Sequence, residues 1–556
     1  MTAAPDALDI AVAQLNPVVG DIAGNLALAK QAVAEAGQRG ADLVLFTECF
    51  LSGYPPEDLV MKPAFLADCE AAVHTLARET SDGPGIIIGV PLQRESGRHN
   101  AAVVIDRGRV VGECYKVDLP NYGEFDEKRV FVAGPPPRPV DFRGVRIGVP
   151  ICEDIWGELG VCKTLADAGA ELLLVPNGSP YHRGKIPVRR DVVTRQVIET
   201  KLAMIYANQV GGQDELVFDG ASFAIDVDQT LVVQMAQFEP QLQLTHWQRE
   251  AGRFRHRGFG LHAELPDPTS ADYRACMLGL RDYVNKNGFE KVLLGLSGGV
   301  DSAICAALAV DALGPERVWT IMLPYKYTAS SSLSDAQACA KALGCRYDVV
   351  PIGEPVEGFK HALAELFAGT REDVTEENLQ SRARGTMLMA LSNKFGAMVV
   401  TTGNKSEVSV GYSTLYGDMN GGFNPIKDLY KMQVYALCRW RNANVPAGAL
   451  GPAGEVIPQS ILSKAPSAEL RAGQVDQDSL PPYPVLDDIL ECLVENEMGV
   501  DEIVARGHDR ALVHRIEHML YTAEYKRRQA APGVKITRKH FGRDRRYPIT
   551  NRYRDV

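Results

Sequence analysis

The sequence predicts an α/β protein built from two domains. At 556 residues the chain is too long to fold around one hydrophobic core. In both halves, short apolar runs typical of buried strands alternate with segments whose apolar residues recur at three- and four-residue steps, as in helices. This alternation is typical of α/β domains, and in the second half it predicts a doubly wound parallel sheet.

The apolar runs locate the predicted strands. In the first half they lie at residues 8–15, 41–46, 85–90, 101–106, 145–150, 171–176 and 203–209. In the second half they lie at residues 291–296, 317–324, 347–352 and 397–403. Residues 25–40 show helical periodicity, and Gly40 is placed to end that helix.

The predicted domain boundary lies where this pattern fades. Between Gln237 and Pro268 the apolar periodicity is lost while Gly, Pro and charged residues become more frequent. We therefore predict domains at residues 1–265 and 266–556. Residues 463–483 form a long irregular segment, which predicts a mobile active-site loop.

Charge and cysteine content exclude several classes of protein. The net charge is −11 with no block of like charges, which argues against non-specific binding to nucleic acid or anionic membrane. The apolar runs are too short to span a bilayer, and residues 1–14 lack an export signal, so we expect a cytoplasmic protein. Eleven cysteines without a CxxC pair disfavour a disulfide framework or a zinc site.

A glycine-rich turn in the second half is the most informative motif. The string LGLSGGVDSA, residues 294–303, joins a short apolar strand to a helical run. Glycines permit a tight turn whose backbone N–H groups can point at phosphate, and the N-terminus of the helix attracts anions. Ser297 and Ser302 supply hydroxyl groups, and Asp301 is placed to hold a magnesium ion. The spacing is not that of a Walker A loop.

The same motif resembles the phosphate loop of the N-type ATP pyrophosphatases, which cleave ATP to AMP and pyrophosphate. TTGNKSE at residues 401–407 and GYSTLYGDMNGGFNPIKDLYK at residues 411–431, with LPYKYTASSSLSDA, ENLQSRARG and DSLPPY, are similar to NAD synthetases across the second domain. The resemblance implies that Asp301 and Glu407 hold Mg²⁺ and that Asn378, Glu407 and Lys526 bind deamido-NAD. The residues that it implies for ATP are Gly295, Leu296, Ser297, Gly298, Gly299, Val300, Asp301, Ser302 and Thr402.

Three separated residues in the first half can form an amide-hydrolysing site. Glu48 ends an apolar run and is a candidate general base, while Lys116 follows a predicted strand. Cys152 follows another strand at a predicted sharp turn beside a helix start, which favours an exposed thiolate. Composition alone favours a buried core thiol at Cys152, so the trio acquires meaning only from the strings around it.

Those strings resemble the nitrilase superfamily, and more narrowly the glutaminase domain fused to NAD synthetases. They are LFTECFLSGYPPEDL, YKVDLPNYGEFDEKRVF, VPICEDIW and VPNGSPYHRGK. The resemblance implies a four-layer αββα sandwich in which Glu48 is the base, Cys152 the nucleophile and Lys116 the group that stabilises the oxyanion. It assigns a supporting role to Glu127, with Glu124 as the neighbouring alternative. It also implies that glutamine is bound by Tyr122, Ser179 and Lys185.

Taken together, the two halves resemble the glutamine-dependent NAD synthetases. The resemblance implies amidation of deamido-NAD to NAD through an adenylated intermediate, with AMP, pyrophosphate and glutamate as further products. It implies ATP as a substrate, Mg²⁺ as the metal and ammonia channelled from glutamine. Ammonia released inside the protein avoids being protonated to ammonium in bulk water. It also implies a homo-oligomer, for which an octamer is the suggested size.

Three other functions remain open at this stage. A different ATP-pyrophosphatase amidotransferase, making asparagine or an amino-purine, is disfavoured by the NKSE and DSLPPY strings. An enzyme that modifies tRNA is disfavoured by the net negative charge and the lack of a basic, aromatic-rich segment. In the third alternative, the first domain is a non-catalytic assembly module attached to an ammonia-dependent synthetase.

Overall fold

The computed structural model describes residues 5–555, and the chain divides into two compact units. The first unit runs to Gln213 and resumes over Val217–Pro266. The second consists of Asp214–Leu216 and the chain from Asp267 onward. Residues 1–4, where the absence of an export signal was partly inferred, lie outside the described residues.

Two β-sheets form the middle layers of the first unit. The larger sheet has seven strands in the order β15-β14-β1-β2-β3-β4-β5, and the smaller has six in the order β13-β12-β9-β8-β7-β6. The strands of the larger sheet are β1 (Ala7–Gln14), β2 (Leu43–Leu45), β3 (Gly85–Arg94), β4 (Gly97–Asp106), β5 (Arg109–Tyr115), β14 (Gln241–Glu250) and β15 (Arg253–His256). Those of the smaller are β6 (Val140–Phe142), β7 (Val145–Gly148), β8 (Leu172–Asn177), β9 (Met204–Asn208), β12 (Phe223–Ile225) and β13 (Leu231–Gln234). A separate hairpin contains β10 (Val210–Gln213) and β11 (Leu216–Asp219).

The two sheets pack face to face, and helices cover their outer faces. Side chains of both sheets, such as Ile10 of β1 and Ile147 of β7, share one buried cluster. On the larger sheet lie α1 (Ile22–Gln38) and α2 (Pro63–Glu79), and on the smaller lie α3 (Val161–Asp167) and α4 (Lys185–Thr200). The predicted αββα sandwich is therefore confirmed.

Helix α1 ends as the sequence predicts. Asp21 caps its N-terminus by accepting a hydrogen bond from the Gly24 amide, and Gly40 adopts φ +81° just beyond its last turn. The buried face of α1 carries Ala29 and Val33. These residues pack against the larger sheet, as the three- and four-residue spacing requires.

The segment assigned to the domain boundary contains two strands that the periodicity missed. β14 pairs along the full length of β1 in antiparallel register, and β15 pairs with β14. Polar residues predominate in β14, and its alternation of Leu242 and Leu244 with glutamines is too short to outweigh them. Regular structure therefore continues to His256, into the segment where the apolar periodicity fades.

The second unit is built on a four-stranded parallel sheet of order β18-β17-β16-β19. Its strands are β16 (Val292–Gly295), β17 (Val318–Met322), β18 (Arg346–Val349) and β19 (Met398–Val399). The chain continues from β16 to β17 on one side, and β19 pairs with β16 on the other, so the strand order reverses at β16. Ligands of doubly wound sheets bind at such a reversal, outside the carboxyl ends of the strands.

Helices cover both faces of this sheet, which confirms the predicted doubly wound fold. α8 (Gly353–Leu363) and α9 (Val374–Phe395) contribute Val356 and Ala383 to the cluster on one face, while α6 (Val300–Leu313) packs against β16 and β17. The helices in chain order are α5 (Pro268–Lys286), α6 (Val300–Leu313), α7 (Ser330–Leu343), α8 (Gly353–Leu363), α9 (Val374–Phe395), α10 (Lys405–Val410), α11 (Lys431–Ala443), α12 (Gln459–Ser463), α13 (Tyr483–Val494), α14 (Val500–Ala505), α15 (Arg510–Thr522) and α16 (Glu524–Arg527).

The length and hydropathy of the helices bear on whether any of them could cross a membrane. Among residues 5–555, none of the helices combines the length and the apolar character needed to cross a bilayer.

Candidate active sites

Three buried charged residues meet at one end of the larger sheet in the first unit. Glu48 follows β2, Lys116 follows β5, and Glu127 opens a short 3-10 helix at Glu127–Arg129. Lys116 Nζ lies 2.7 Å from Glu48 Oε1 and 2.9 Å from Glu127 Oε1. The two carboxylates raise the pKa of Lys116 even though burial opposes its charge, so the lysine remains an ammonium ion.

Cys152 lies in a strained turn directly after the strand β7 and its short extension. Its φ is +46°, in the left-handed region that non-glycine residues rarely adopt, and it begins the 3-10 helix Cys152–Ile155. Asp154 stabilises the turn, because its carboxylate accepts hydrogen bonds from the backbone amides of Ile151, Val117 and Asp118. The predicted sharp turn at a helix start is therefore present.

The thiol of Cys152 differs from the predicted exposed thiolate. Its residue is only 5% exposed, and burial, reinforced by the nearby charge of Glu48, raises its pKa well above the ordinary value. Lys116 and the amide of Gly178 act in the opposite direction but do not compensate. The expectation of an exposed thiolate was wrong because chain remote in sequence covers the turn. The resting group is a thiol that needs a base.

The three residues predicted to bind glutamine surround this turn. The Tyr122 hydroxyl contacts both carboxylate oxygens of Glu153, at 3.0 and 2.9 Å. Lys185 Nζ lies 4.5 Å from the ring centroid of Trp156. Ser179 is buried, and its hydroxyl accepts a hydrogen bond from Arg189 Nε at 3.1 Å.

Sequence patterns missed Glu153, which lies beside the nucleophile. Burial raises the pKa of its carboxyl to about 7, although the hydrogen bond from Tyr122 opposes that shift. Its position directly after Cys152 was visible in the sequence, but nothing in a single chain distinguishes it from a solvated acid.

Two further residues, to which no role was assigned from the sequence, hold the charged group in place. Tyr54 donates its hydroxyl to Glu127 Oε1 at 2.9 Å. Asn100 Nδ2 lies 2.7 Å from Glu48 Oε1 and 3.5 Å from Glu127 Oε2. A signal for Asn100 does exist, because it is a polar residue at a core-facing position of β4, in register with Ala102 and Val104.

The glycine turn of the second unit lies at the end of β16. Gly298 has φ +79°, and Gly299 is the N-cap of α6, so no side chain occupies the first amides of that helix. The hydroxyls of Ser297 and Ser302 lie 3.1 Å apart, and Ser302 also donates to the Gly299 carbonyl. The turn thus presents an uncapped helix N-terminus at the reversal point of the sheet.

Two carboxylates converge on a lysine beside this turn. Lys431 Nζ lies 2.5 Å from Asp301 Oδ2 and 3.0 Å from Glu407 Oε1. Asn404 joins the same two acids, because its amide donates to Asp301 while its oxygen accepts the backbone N–H of Glu407. Burial raises the pKa of Glu407 to about 7. Neither Lys431 nor Asn404 was assigned a role from the sequence, although both lie inside the quoted motifs.

A cavity of about 280 Å³ extends from the glycine turn. Its lining includes Gly295 through Ser302 and Thr402, all predicted to contact ATP. Residues Lys464–Leu470, from the segment predicted to be an active-site loop, form part of its wall. A second cavity, of about 220 Å³, shares the turn and reaches Glu407.

The two remaining residues predicted to bind deamido-NAD meet at one segment beside the second cavity. Lys526 Nζ donates to the carbonyls of Gly411 and Ser413, both at 2.7 Å. Asn378 Oδ1 accepts a hydrogen bond from the hydroxyl of Thr414 at 2.9 Å. The structure therefore brings Asn378 and Lys526 to the same chain segment, next to the cavity that Glu407 lines.

Comparison with known proteins identifies the family. Sequence models of two families match the chain, Carbon-nitrogen hydrolase at residues 9–255 and NAD synthase at residues 272–530. A Glutamine-dependent NAD(+) synthetase from Rhodobacter capsulatus is 52% identical over 550 residues, which cover 99% of each chain. The chain belongs to the glutamine-dependent NAD(+) synthetases. A member of this family from Thermotoga maritima is 42% identical over 99% of both chains.

Solved structures of the same family agree over nearly the whole chain. The glutamine-dependent NAD+ synthetase of Acinetobacter baumannii, solved with ADP, is 38% identical with a TM-score of 0.76 and covers 98% of this chain. It is itself covered to 99%. The synthetase of Cytophaga hutchinsonii is 21% identical, with a TM-score of 0.82 over 98% of both chains, and supports the fold. Membership of this NAD synthetase family therefore extends over both units.

Proposed function

We propose that this chain converts deamido-NAD to NAD, using ATP to activate the acid and glutamine to supply the nitrogen. The main support is that one chain holds two sites. The first unit contains a buried Glu–Lys–Cys group, and the second contains a glycine turn beside two convergent carboxylates. Synthetases named for this reaction align with it over 99% of both chains. The alternative of a non-catalytic first unit leaves the Glu48–Lys116–Cys152 arrangement without a purpose.

In the glutaminase half-reaction, Glu48 takes the proton of the Cys152 thiol as the sulfur attacks the side-chain amide carbon of glutamine. Lys116, held as an ammonium ion by Glu48 and Glu127, stabilises the oxyanion that forms. The C–N bond then breaks, the nitrogen takes the proton from Glu48, and ammonia leaves behind a thioester. Water, deprotonated by Glu48, hydrolyses the thioester to glutamate and returns the thiol.

The α-amino acid end of glutamine carries a negative carboxylate and a positive ammonium group, and the site offers a partner for each. We assign Lys185 and the Ser179 region to the carboxylate, and Glu153 with Tyr122 to the ammonium group. Glu153 and Tyr122 are already joined by hydrogen bonds beside Cys152, so their oxygen atoms lie together and can accept hydrogen bonds from the ammonium group. Breaking such a charge-assisted contact costs more than losing a neutral hydrogen bond.

The pH dependence of glutamine use tests this assignment. Because burial raises the pKa of Glu153 to about 7, the group is largely protonated below that pH and ionised above it. Only the ionised form attracts the ammonium group, so we expect kcat/KM for glutamine to rise as pH rises through about 7. Glu153→Gln should remove that rise and increase KM for glutamine by about 30-fold.

Release of glutamate, followed in the absence of the other substrates, measures this effect directly. Glu158→Gln is the matched control, because Glu158 is an exposed acid in the same segment. A wild-type pH profile retained by the Glu153→Gln variant would remove Glu153 from glutamine recognition.

In the synthetase half-reaction, the nicotinate carboxylate of deamido-NAD attacks the α-phosphorus of ATP and displaces pyrophosphate. The N-terminus of α6, with amides that no side chain caps, is suited to the anionic pyrophosphate. Ammonia then attacks the adenylated carbonyl carbon, and the C–O bond breaks to release AMP with NAD. In this proposal Asn378 and Lys526 orient the dinucleotide and Thr402 contacts ATP, which is supported by the contacts of Asn378 and Lys526 with residues 411–414 and by the position of Thr402 in the cavity wall.

Asp301 and Glu407 fit a magnesium ion. They are hard oxygen donors that already converge on one cation, the ammonium group of Lys431. Within residues 5–555 no cluster of three or more acidic, histidine or cysteine residues could hold a metal by protein ligands alone. Asp301 and Glu407 would hold the magnesium ion, which would supply charge neutralisation at the phosphates.

Removing one carboxylate should therefore weaken the binding of magnesium and leave the glutaminase unaffected. For Asp301→Asn we expect the magnesium concentration for half-maximal NAD synthesis to rise by about 10-fold or more. Asp348→Asn, at a half-buried acid of β18 that pairs with Arg346, serves as the control. An unchanged magnesium titration for Asp301→Asn would contradict the assignment.

One assay tests the overall proposal. Purified protein with ATP, magnesium, deamido-NAD and glutamine should give NAD, AMP, pyrophosphate and glutamate in equal amounts. Formation of AMP only when aspartate or an oxo-purine nucleotide replaces deamido-NAD would identify a different amidotransferase.

Assembly is a separate part of the proposal. On the basis of family resemblance we infer a homo-oligomer, with an octamer as the expected size. Light scattering coupled to size-exclusion chromatography decides it, and a mass of 60.5 kDa would mean a monomer.

A further inference from the structure

Asn100 is a residue outside the assigned catalytic group that contacts all three of its charged members. It lies in β4, is 1% exposed, and faces the interior between the two sheets, where Ala102 and Val104 of the same strand are apolar. Its side-chain amide reaches Glu48 and Glu127, and its backbone carbonyl accepts the backbone N–H of Lys116 at 2.9 Å. A polar side chain at such a position is costly unless fully hydrogen-bonded.

The orientation of the Asn100 amide is fixed by its surroundings. Cys49 Sγ lies 3.3 Å from Asn100 Oδ1 and donates to it, which leaves the NH2 group facing the carboxylates. In the reverse orientation, the amide oxygen would face Glu48 Oε1 at 2.7 Å, and two acceptors would repel each other. Asn100 therefore acts as a donor toward Glu48.

The lone pairs of Glu48 show what this donor does. Oε1 accepts from Lys116 Nζ and from Asn100 Nδ2, both at 2.7 Å, so its two lone-pair directions are occupied. Oε2 accepts one hydrogen bond, from the Gly178 amide at 2.9 Å, which leaves one direction open. The same Gly178 amide opposes the rise in the pKa of Cys152 and so lies close to its thiol, which puts Oε2 on the side of the nucleophile.

We propose that Asn100 is a positioning residue for the glutaminase, which saturates Oε1 of Glu48 together with Lys116 and so directs Oε2 to act as the base toward Cys152. This inference rests on the proposed role of Glu48 as the general base. Without the Asn100 donor, the carboxylate can rotate to share Lys116 between its two oxygens. The open lone pair then no longer faces the thiol.

Asn100→Leu tests the inference, because leucine is similar in size to asparagine but can neither donate nor accept. We expect kcat for glutamate release to fall by about 100-fold while KM for glutamine stays within about threefold, since an alignment effect acts on the reacting atoms rather than on binding. NAD synthesis supported by added ammonia should be unchanged, which reports that the second unit is intact in the same preparation. Asn25→Leu is the matched control for loss of stability, because Asn25 is a buried asparagine whose amide donates to the backbone carbonyls of Val18 and Leu51.

Asn100→Asp provides a readout that a purely structural role would not change. The new carboxyl group would face Glu48, Glu127 and Cys49, with Lys116 bound to the same oxygen of Glu48, and it can donate to Glu48 only when protonated. Its glutaminase activity relative to the wild type should therefore increase as pH is lowered. The Asn100→Leu variant, which never donates, should show no such recovery.

The outcomes separate this inference from the proposed function. If Glu48→Gln retains glutaminase activity, the proposed base itself is wrong. If Glu48→Gln is inactive but Asn100→Leu loses less than about threefold in kcat, Glu48 is the base and the positioning role of Asn100 is overturned. A parallel loss in Asn100→Leu and Asn25→Leu would likewise overturn it, because general destabilisation would then account for both.

Discussion

Cys152→Ala should abolish glutamine-supported NAD synthesis while ammonia-supported synthesis continues at the wild-type rate. We expect the glutamine-supported rate to fall by at least about 10,000-fold, because alanine cannot form the thioester and no other nucleophile can replace it. Measuring NAD formation with glutamine and with ammonium chloride in the same preparation gives the ratio directly.

Cys162→Ala is the matched control for this experiment. Cys162 lies in α3 and is as deeply buried as the nucleophile, so its replacement creates a similar small cavity. It should leave both rates close to wild type. Equal rates with glutamine in the two variants would mean that the first unit is not the source of the ammonia, and the assembly-module alternative would then be favoured.

The same cysteine shows how far the sequence could be used to predict the site. The position of Cys152 after an apolar strand predicted the sharp turn correctly, because strand exits are marked by local composition. Its protonation could not be predicted, since the groups that bury it, among them Glu48 and Gly178, come from other parts of the chain. Burial is a property of the folded chain, so the thiolate prediction failed.

The strands show the same difference between what local sequence predicts and what only the fold reveals. Most strands were predicted, but β14 was not. Strands buried on both faces, such as β3 and β8, are continuous apolar runs and are visible without a structure. β14 is only half-buried along most of its length and holds its place by pairing with β1 from the far end of the unit. That pairing joins residues more than two hundred positions apart, which no local pattern records.

Asn100 and Lys431 were missed for the related reason that their partners are distant in sequence. The predicted strand began at Ala101, one residue after Asn100, because periodicity counts apolar residues and ignores a polar one in register with them. Lys431 was quoted within a motif but had no role until the fold placed it between Asp301 and Glu407. The predicted strand ends locate the sites in the sequence, whereas the contacts between residues of a site can be seen only in the folded structure.

Gly298→Ala should lower NAD synthesis about 1,000-fold with either nitrogen source, because it distorts the donors that hold the phosphates. Gly298 has φ +79°, and a Cβ added there would lie 2.4 Å from the carbonyl oxygen of Ser332 in α7. That carbonyl belongs to the helix backbone and cannot move aside, so the turn itself must shift. ATP–pyrophosphate exchange in the presence of deamido-NAD measures the adenylation step without any ammonia.

Gly288→Ala distinguishes lost function from backbone strain. Gly288 also has a positive φ, +74°, but apart from Gly288 and its two chain neighbours no described residue has an atom within 4 Å of the position that a Cβ would take, so alanine there suffers strain alone. It should reduce the free energy of unfolding by about 1 kcal/mol and leave exchange unchanged. Adenylation lost in Gly298→Ala and kept in Gly288→Ala would locate the defect in the close approach of the turn to α7. Adenylation kept in both variants would show that the phosphates bind elsewhere, because a turn displaced from Ser332 cannot present the same amides.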